Sequence, residues 1–204
     1  MPTTTSLCLV RHGETDWNAS GLTQGSTDIP LNDTGRRQAS ETGTLLAEDS
    51  WDALVASPLA RARETAEIIG RYTGLSDITL DPRLVERSFG LAEGMNADER
   101  KQAFPDKIIP GAEAWDAVRA RALAAIETIR GEYAGKRVIV VSHGGAILNI
   151  LAEVTGDALG PGKLVLENAG ASLIEHDGEW RLRWWNLTLK KWSEPWGYVK
   201  QETK

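Results

Sequence analysis

Three places in the sequence set a histidine or an arginine just beyond a short apolar run. Arg11-His12-Gly13-Glu14-Thr15 follows Ser6 to Val10. Ser57-Pro58 and then Arg61 follow Ala53 to Ala56. Ser142-His143-Gly144-Gly145 follows Val138 to Val141. Guanidinium forks match phosphate oxygens, and an unprotonated imidazole is a nucleophile. Two arginines and two histidines at one point would therefore make an anion site with a nucleophile. A parallel sheet would bring them together, because ligands of open α/β sheets bind beyond the carboxyl ends of the strands.

The rest of the pattern supplies such a sheet. Ser6 to Val10, Ala53 to Ala56, Ile78 to Leu80 and Arg137 to Val141 predict strands. Asn32, Asp33 and Thr34 offer N-caps for a helix to about Glu48. Pro58 suits a first turn, Leu59 to Tyr72 continues it, and Gly74 stops it. Trp115, Val118, Ala122, Ile126, Ile129 and Tyr133 recur at steps of three and four, one apolar stripe of a helix over Ala112 to Tyr133. Ala146 to Val154 reads as a further helix. Ser172 to Glu175 and Trp180 to Trp185 flank Asp177-Gly178, a hairpin signal. Strands alternating with helices predict an α/β three-layer sandwich, with a mainly parallel central sheet, helices on both faces and a C-terminal antiparallel hairpin. One domain over residues 1–204 is expected.

Composition narrows the partners. Of 204 residues 25% are charged, and 23 Lys and Arg stand against 29 Asp and Glu, a net charge of −6. That balance disfavours nucleic acid as a partner but leaves room for a small anion in a locally basic pocket. Cys8, alone of its kind and set in Leu7 to Val10, predicts a buried thiol rather than a reactive one. Met1 to Ser6 has no basic or apolar leader character, and no apolar run approaches a membrane span. A cytoplasmic location with no membrane contact is expected. Five of the eight tryptophans fall between Trp180 and Trp196. They are expected to pack on the core, in a monomer or a homodimer.

The same residues resemble a known family. Arg11-His12-Gly13-Glu14-Thr15 with Asn18 is similar to the R-H-G-[EQ]-T-x-x-N signature of the histidine phosphatase superfamily, the phosphoglycerate mutase-like proteins. The resemblance runs on in order through Gln24-Gly25, Ser57 to Ala66, Leu84 to Gly90 with Glu93-Gly94, and Ser142 to Gly145. It implies that His12 is the nucleophile and forms a phosphohistidine, while Arg11, Arg61 and His143 hold the phosphoryl oxygens. Asn18, Gln24, Gly25 and Gly144 are implied substrate contacts. Glu86 is the implied general acid, with Glu93, seven residues on, as its rival. An acid that also serves as base must have its proton affinity raised toward the working pH by burial or nearby negative charge. No metal and no other cofactor is implied, since phosphoryl transfer is mainly positioning and electrostatics.

Other residues have plainer readings. His176 reads as a solvent-facing hairpin residue, and Arg36, Arg37, Arg63 and Arg71 as solvated helix faces. Glu14 orients its loop. Ser57 either orients Arg61 or caps its helix. Asn186-Leu187-Thr188 matches a glycosylation sequon and is expected to be idle. Family mutases carry a long insertion with paired arginines before the second histidine. Here 56 residues separate Glu86 from His143, and Arg119 and Arg121, two apart on one helix, point in different directions. The expected activity is therefore a phosphomonoesterase acting on a small phosphorylated metabolite, with a mutase and a non-catalytic phosphate-binding module as alternatives. Met95 to Glu113 would form a small lid insertion, and Arg87, Lys101 or Lys107 could meet the leaving group.

Overall fold

A computed structural model describes residues 4–192. In chain order they form β1 (Thr5–Arg11), α1 (Asp16–Ala19), α2 (Asp33–Leu46), β2 (Ala53–Ala56), α3 (Ala60–Thr73), β3 (Ile78–Leu80), α4 (Ala97–Ala103), α5 (Trp115–Glu132), β4 (Arg137–Ser142), α6 (Gly144–Val154), β5 (Ala171–His176), β6 (Trp180–Leu187) and α7 (Leu189–Trp192). The six strands make one sheet in the order β3-β2-β4-β1-β5-β6. β1, β2, β3 and β4 pair parallel, while β5 joins β1, and β6 joins β5, antiparallel.

Alternation along the central strands builds the three layers. Leu7 and Leu9 of β1, with Val138 and Val140 of β4, pack with Ala122, Ile126 and Ile129 of α5 and Ile147 and Ile150 of α6. Cys8 and Val10, with Ile139 and Val141, point the other way, onto Leu46 of α2 and Ala62, Ala66 and Ile69 of α3. Each strand thus feeds both faces, as a doubly covered parallel strand must. Burial also pushes the Cys8 thiol far above its ordinary pKa, so it is inert.

Three element ends differ from the sequence reading. α3 begins at Ala60, after Pro58, because the Asp28 carboxylate accepts the Ala60 N–H at 2.8 Å and starts the helix there. α5 begins at Trp115 rather than Ala112: Ala112 bridges to Phe89 and the Glu113 N–H donates to Ser88. Those pairings hold the preceding residues extended, and Trp115 leaves the buried stripe at 39% exposure. α6 begins at Gly144, directly after His143. The hairpin forms as expected. Trp180 and Trp184 pack on the core and Trp185 is exposed, while Trp196 lies outside the described residues. His176 is half-buried, edge-on to Trp180. Asn186 is buried and accepts the Glu167 N–H at 2.7 Å, which gives a physical reason for the sequon to be idle.

Candidate active site

The ends of β1 and β4 place the two histidines. Arg11 is in register with Ser142, so His12 and His143 follow on adjacent parallel strands, with ring centroids 5.1 Å apart. β2 ends one step away, where the Ser57 N–H donates to the Val141 carbonyl at 2.9 Å. The first turn of α3 then carries Arg61, fully buried, to the same point.

His12 is buried, and its Nδ1 lies 2.7 Å from the Gly13 carbonyl. A carbonyl can only accept, so Nδ1 carries the proton and Nε2 keeps its lone pair. Burial, then Arg11 and Arg61, hold the His12 pKa well below its ordinary value. His143 is held low by burial, then by Arg61, His12 and Arg11, and its Nε2 is 2.8 Å from Ser57 Oγ. Both rings are therefore neutral near pH 7.

That neutrality has a cost in acid. Each histidine has its folded pKa below its unfolded one, so the unfolded chain binds more protons as pH falls from about 6.5 toward the folded values. Stability is lost across that window, by up to about 1.4 kcal/mol per pH unit for each histidine. Thermal melts from pH 7.5 to 5.5 should show Tm falling, and the slope should flatten in a His12→Gln/His143→Gln variant. A wild-type Tm that is level across this range would contradict the buried neutral pair.

The two arginines are held by backbone carbonyls. Arg61 donates from Nη1 to Thr27 O at 2.9 Å and from Nη2 to Gly25 O at 2.8 Å. Arg11 donates from Nη1 to Leu166 O. The Nε of each is buried without a partner, and among the described residues neither arginine makes an ion pair within 4 Å. Burial lowers the pKa of both guanidinium groups, and Glu86, with Asp28 and Glu93 for Arg61, offsets only part of that cost; an anion between the two would offset more.

The smaller groups are set around this point. Asn18 closes a capping box with Thr15. Its Oδ1 accepts the Thr15 N–H and the Asn168 side-chain amide, each at 3.2 Å, which turns its own NH2 away from them. Gln24 is buried, its Oε1 accepting the Thr15 hydroxyl at 2.9 Å. Gly25 gives its carbonyl to Arg61. It sits at φ +60, where a Cβ would stand 2.2 Å from Glu93, so only glycine fits. Gly144 lies between Arg11 and Glu86. Glu14 accepts from Asn32 and steadies the loop as expected.

The two candidate acids separate clearly. Glu86 accepts the Gly145 N–H at 3.0 Å and the Arg87 N–H at 2.9 Å, and lies against the start of α6 beside Arg11. Glu93 accepts the N–H groups of Ser26, Thr27 and Phe89 and the hydroxyls of Ser26 and Thr27. Burial pushes the Glu93 pKa up, but those bonds outweigh it and hold the carboxyl below its ordinary range. Glu93 is an ionised staple between two loops.

Several positioning groups were not legible in the sequence. Arg121 donates to the carbonyls of Arg83, Val85 and Glu86 and pairs with Glu113 at 2.8 Å, so it holds the acid-bearing loop. Asn168 ties the His12 carbonyl to Asn18. Gly145, which with Gly144 reads from the sequence as a close backbone approach at a helix start, would carry a Cβ 2.4 Å from Glu86 Oε1, so a side chain there would displace that carboxylate. Arg87 lies between the rings of Phe89 and Trp115, 4.7 and 4.6 Å from their centroids. Lys101 and Lys107 are exposed. Among the described residues no three His, Cys, Asp or Glu side chains are grouped to hold a metal ion, and no helix is long and apolar enough to cross a membrane.

Paired buried arginines thus stand around a neutral histidine at the carboxyl ends of the parallel strands of an α/β sheet. The chain belongs to the histidine phosphatase superfamily (branch 1), whose profile matches residues 7–188. It is 44% identical over 184 residues to the "Uncharacterized phosphatase PhoE" of Bacillus subtilis, covering 90% of this chain and 95% of that one. It is 36% identical over 180 residues to the "Probable phosphoglycerate mutase GpmB" of Photorhabdus laumondii, covering 82% and 83%. The solved mycobacterial glucosyl-3-phosphoglycerate phosphatase superposes with a TM-score of 0.79 at 28% identity, over 90% of this chain and 99% of that one. The protein is thus an enzyme of the phosphatase and mutase kind.

Proposed function

We propose that the protein is a metal-independent phosphomonoesterase that hydrolyses a small phosphorylated metabolite through a phosphohistidine on His12. The observation that carries this reading is the pair of buried arginines without carboxylate contacts around a histidine whose Nε2 lone pair is free. Nε2 attacks phosphorus as the ester P–O bond breaks, and Glu86 gives its proton to the leaving oxygen. Arg11, Arg61, His143 and the Asn18 amide hold the three equatorial oxygens. Water then attacks phosphorus, Glu86 takes its proton, and the P–N bond breaks to release phosphate and neutral His12.

Hydrolysis is favoured over transfer to a second hydroxyl by the fate of two arginines. Arg119 is spent on Glu153 and Asp157, and Arg121 on Glu113 and the acid loop. Neither is left for a substrate carboxylate. Residues 95–113 act as the lid in this reading: Met95 and Arg100 bond Thr23, while Pro110 and Gly111 bond the loop after Glu86. The name of the B. subtilis relative agrees with a hydrolase, that of the P. laumondii relative with the mutase alternative. Phosphate release from a panel of phosphomonoesters in EDTA, with 2- and 3-phosphoglycerate interconversion followed in parallel, decides. Metal-independent hydrolysis without interconversion is expected, and fast interconversion with little free phosphate would overturn it.

A further inference from the structure

We infer that Ser57 is a positioning residue that fixes the tautomer of His143, so that Nδ1 presents an N–H donor to the transferred phosphoryl group. This deepens the reading of the site given above and rests on it. Ser57 is fully buried. Its Oγ meets two groups among the described residues: the Leu59 N–H, a weak donor at 3.4 Å, and His143 Nε2 at 2.8 Å. Pro58 has no N–H to compete.

The hydroxyl has one proton to give, and of those two neighbours only His143 Nε2 can accept it. If Nε2 were protonated, Oγ would face two donors and its own hydrogen would be left without an acceptor. Counting donors and acceptors therefore places the Ser57 hydrogen on the bond to Nε2 and the imidazole hydrogen on Nδ1. His143 Nδ1 is the atom that is buried with no partner, in a ring centred 5.1 Å from that of His12. A buried N–H without an acceptor is costly, and a phosphoryl oxygen would satisfy it. The two histidines then have the same tautomer and opposite uses. His12 spends its N–H on Gly13 and offers a lone pair; His143 spends its lone pair on Ser57 and offers an N–H.

The chain has three histidines, which makes ring-nitrogen resonances assignable in protein labelled with ¹⁵N histidine. In the free wild-type protein at neutral pH, His143 should show a protonated Nδ1 and a bare Nε2. Ser57→Ala should lose that preference and lower kcat roughly 10- to 100-fold with KM changed less. Ser57→Cys, nearly isosteric with a weak S–H donor, should recover part of both. A protonated Nε2 in the wild type would overturn the proposal. So would a Ser57→Ala variant that keeps both the tautomer and kcat. The tautomer is read without substrate, so its failure is distinct from that of the phosphatase reading, which fails if His12 never carries phosphate.

Discussion

His12→Ala should lower kcat for phosphomonoester hydrolysis by at least about 10⁴-fold, the scale seen when a covalent nucleophile is removed. Nothing nearby can replace it: the lone pair of His143 is engaged by Ser57, and Cys8 is buried four residues back along β1 with its thiol protonated. The variant should still bind phosphate, because Arg11 and Arg61 are anchored on Leu166, Gly25 and Thr27 rather than on the imidazole. Rapid quench with a ³²P-labelled substrate provides the check. Wild type should carry an acid-labile, base-stable label that the variant lacks, while inhibition by inorganic phosphate stays within a few-fold. Near-normal turnover in the variant would remove His12 from the mechanism.

The second large effect is expected at Glu86. Glu86→Gln should cost about 10²- to 10⁴-fold on an alkyl phosphate, whose leaving oxygen needs a proton. It should cost far less in the first step on nitrophenyl phosphate, whose leaving group needs none. Because the same carboxylate would deprotonate the attacking water, the variant should then release nitrophenol in a burst and accumulate phosphohistidine. Glu93→Gln should behave differently. Its amide NH2 cannot accept from the Ser26 and Thr27 loop, so Tm should fall and both substrates should slow alike as the Gly25 and Thr27 carbonyls lose their hold on Arg61. A leaving-group-dependent loss in Glu93→Gln, with Glu86→Gln unchanged, would exchange the two assignments.

What could be read from the sequence was what repeats locally. Four short apolar runs became β1 to β4 almost residue for residue, because the middles of β1, β2 and β4 are buried on both faces and apolar throughout, and the short edge strand β3 pairs in parallel register with β2. Arg11, His12, Arg61 and His143 were placed by a topological rule that needs only those ends. The missed groups act through carbonyls and amides distant in sequence: Arg121 on the acid loop, Asn168 on His12 and Asn18. No spacing encodes such contacts. Ser57 was legible as a residue near Arg61 but not as a partner of His143, since that contact exists only once β2 lies beside β4. Trp115 fitted its stripe and still left the core, because the bridge from Ala112 to Phe89 sets where α5 begins.

The strand order has a consequence for the nascent chain. β1, which would carry the nucleophile, is synthesised first, yet both of its sheet neighbours, β4 and β5, come from beyond residue 136. At ribosomal speeds its apolar residues wait on the order of ten seconds for a partner. β2 and β3 pair with one another but not with β1, so the first hundred residues emerge with that strand unpaired on both edges, a segment suited to chaperone capture or to premature association. The site is completed by the same event that closes the sheet, and no shorter N-terminal fragment brings His12 and His143 together.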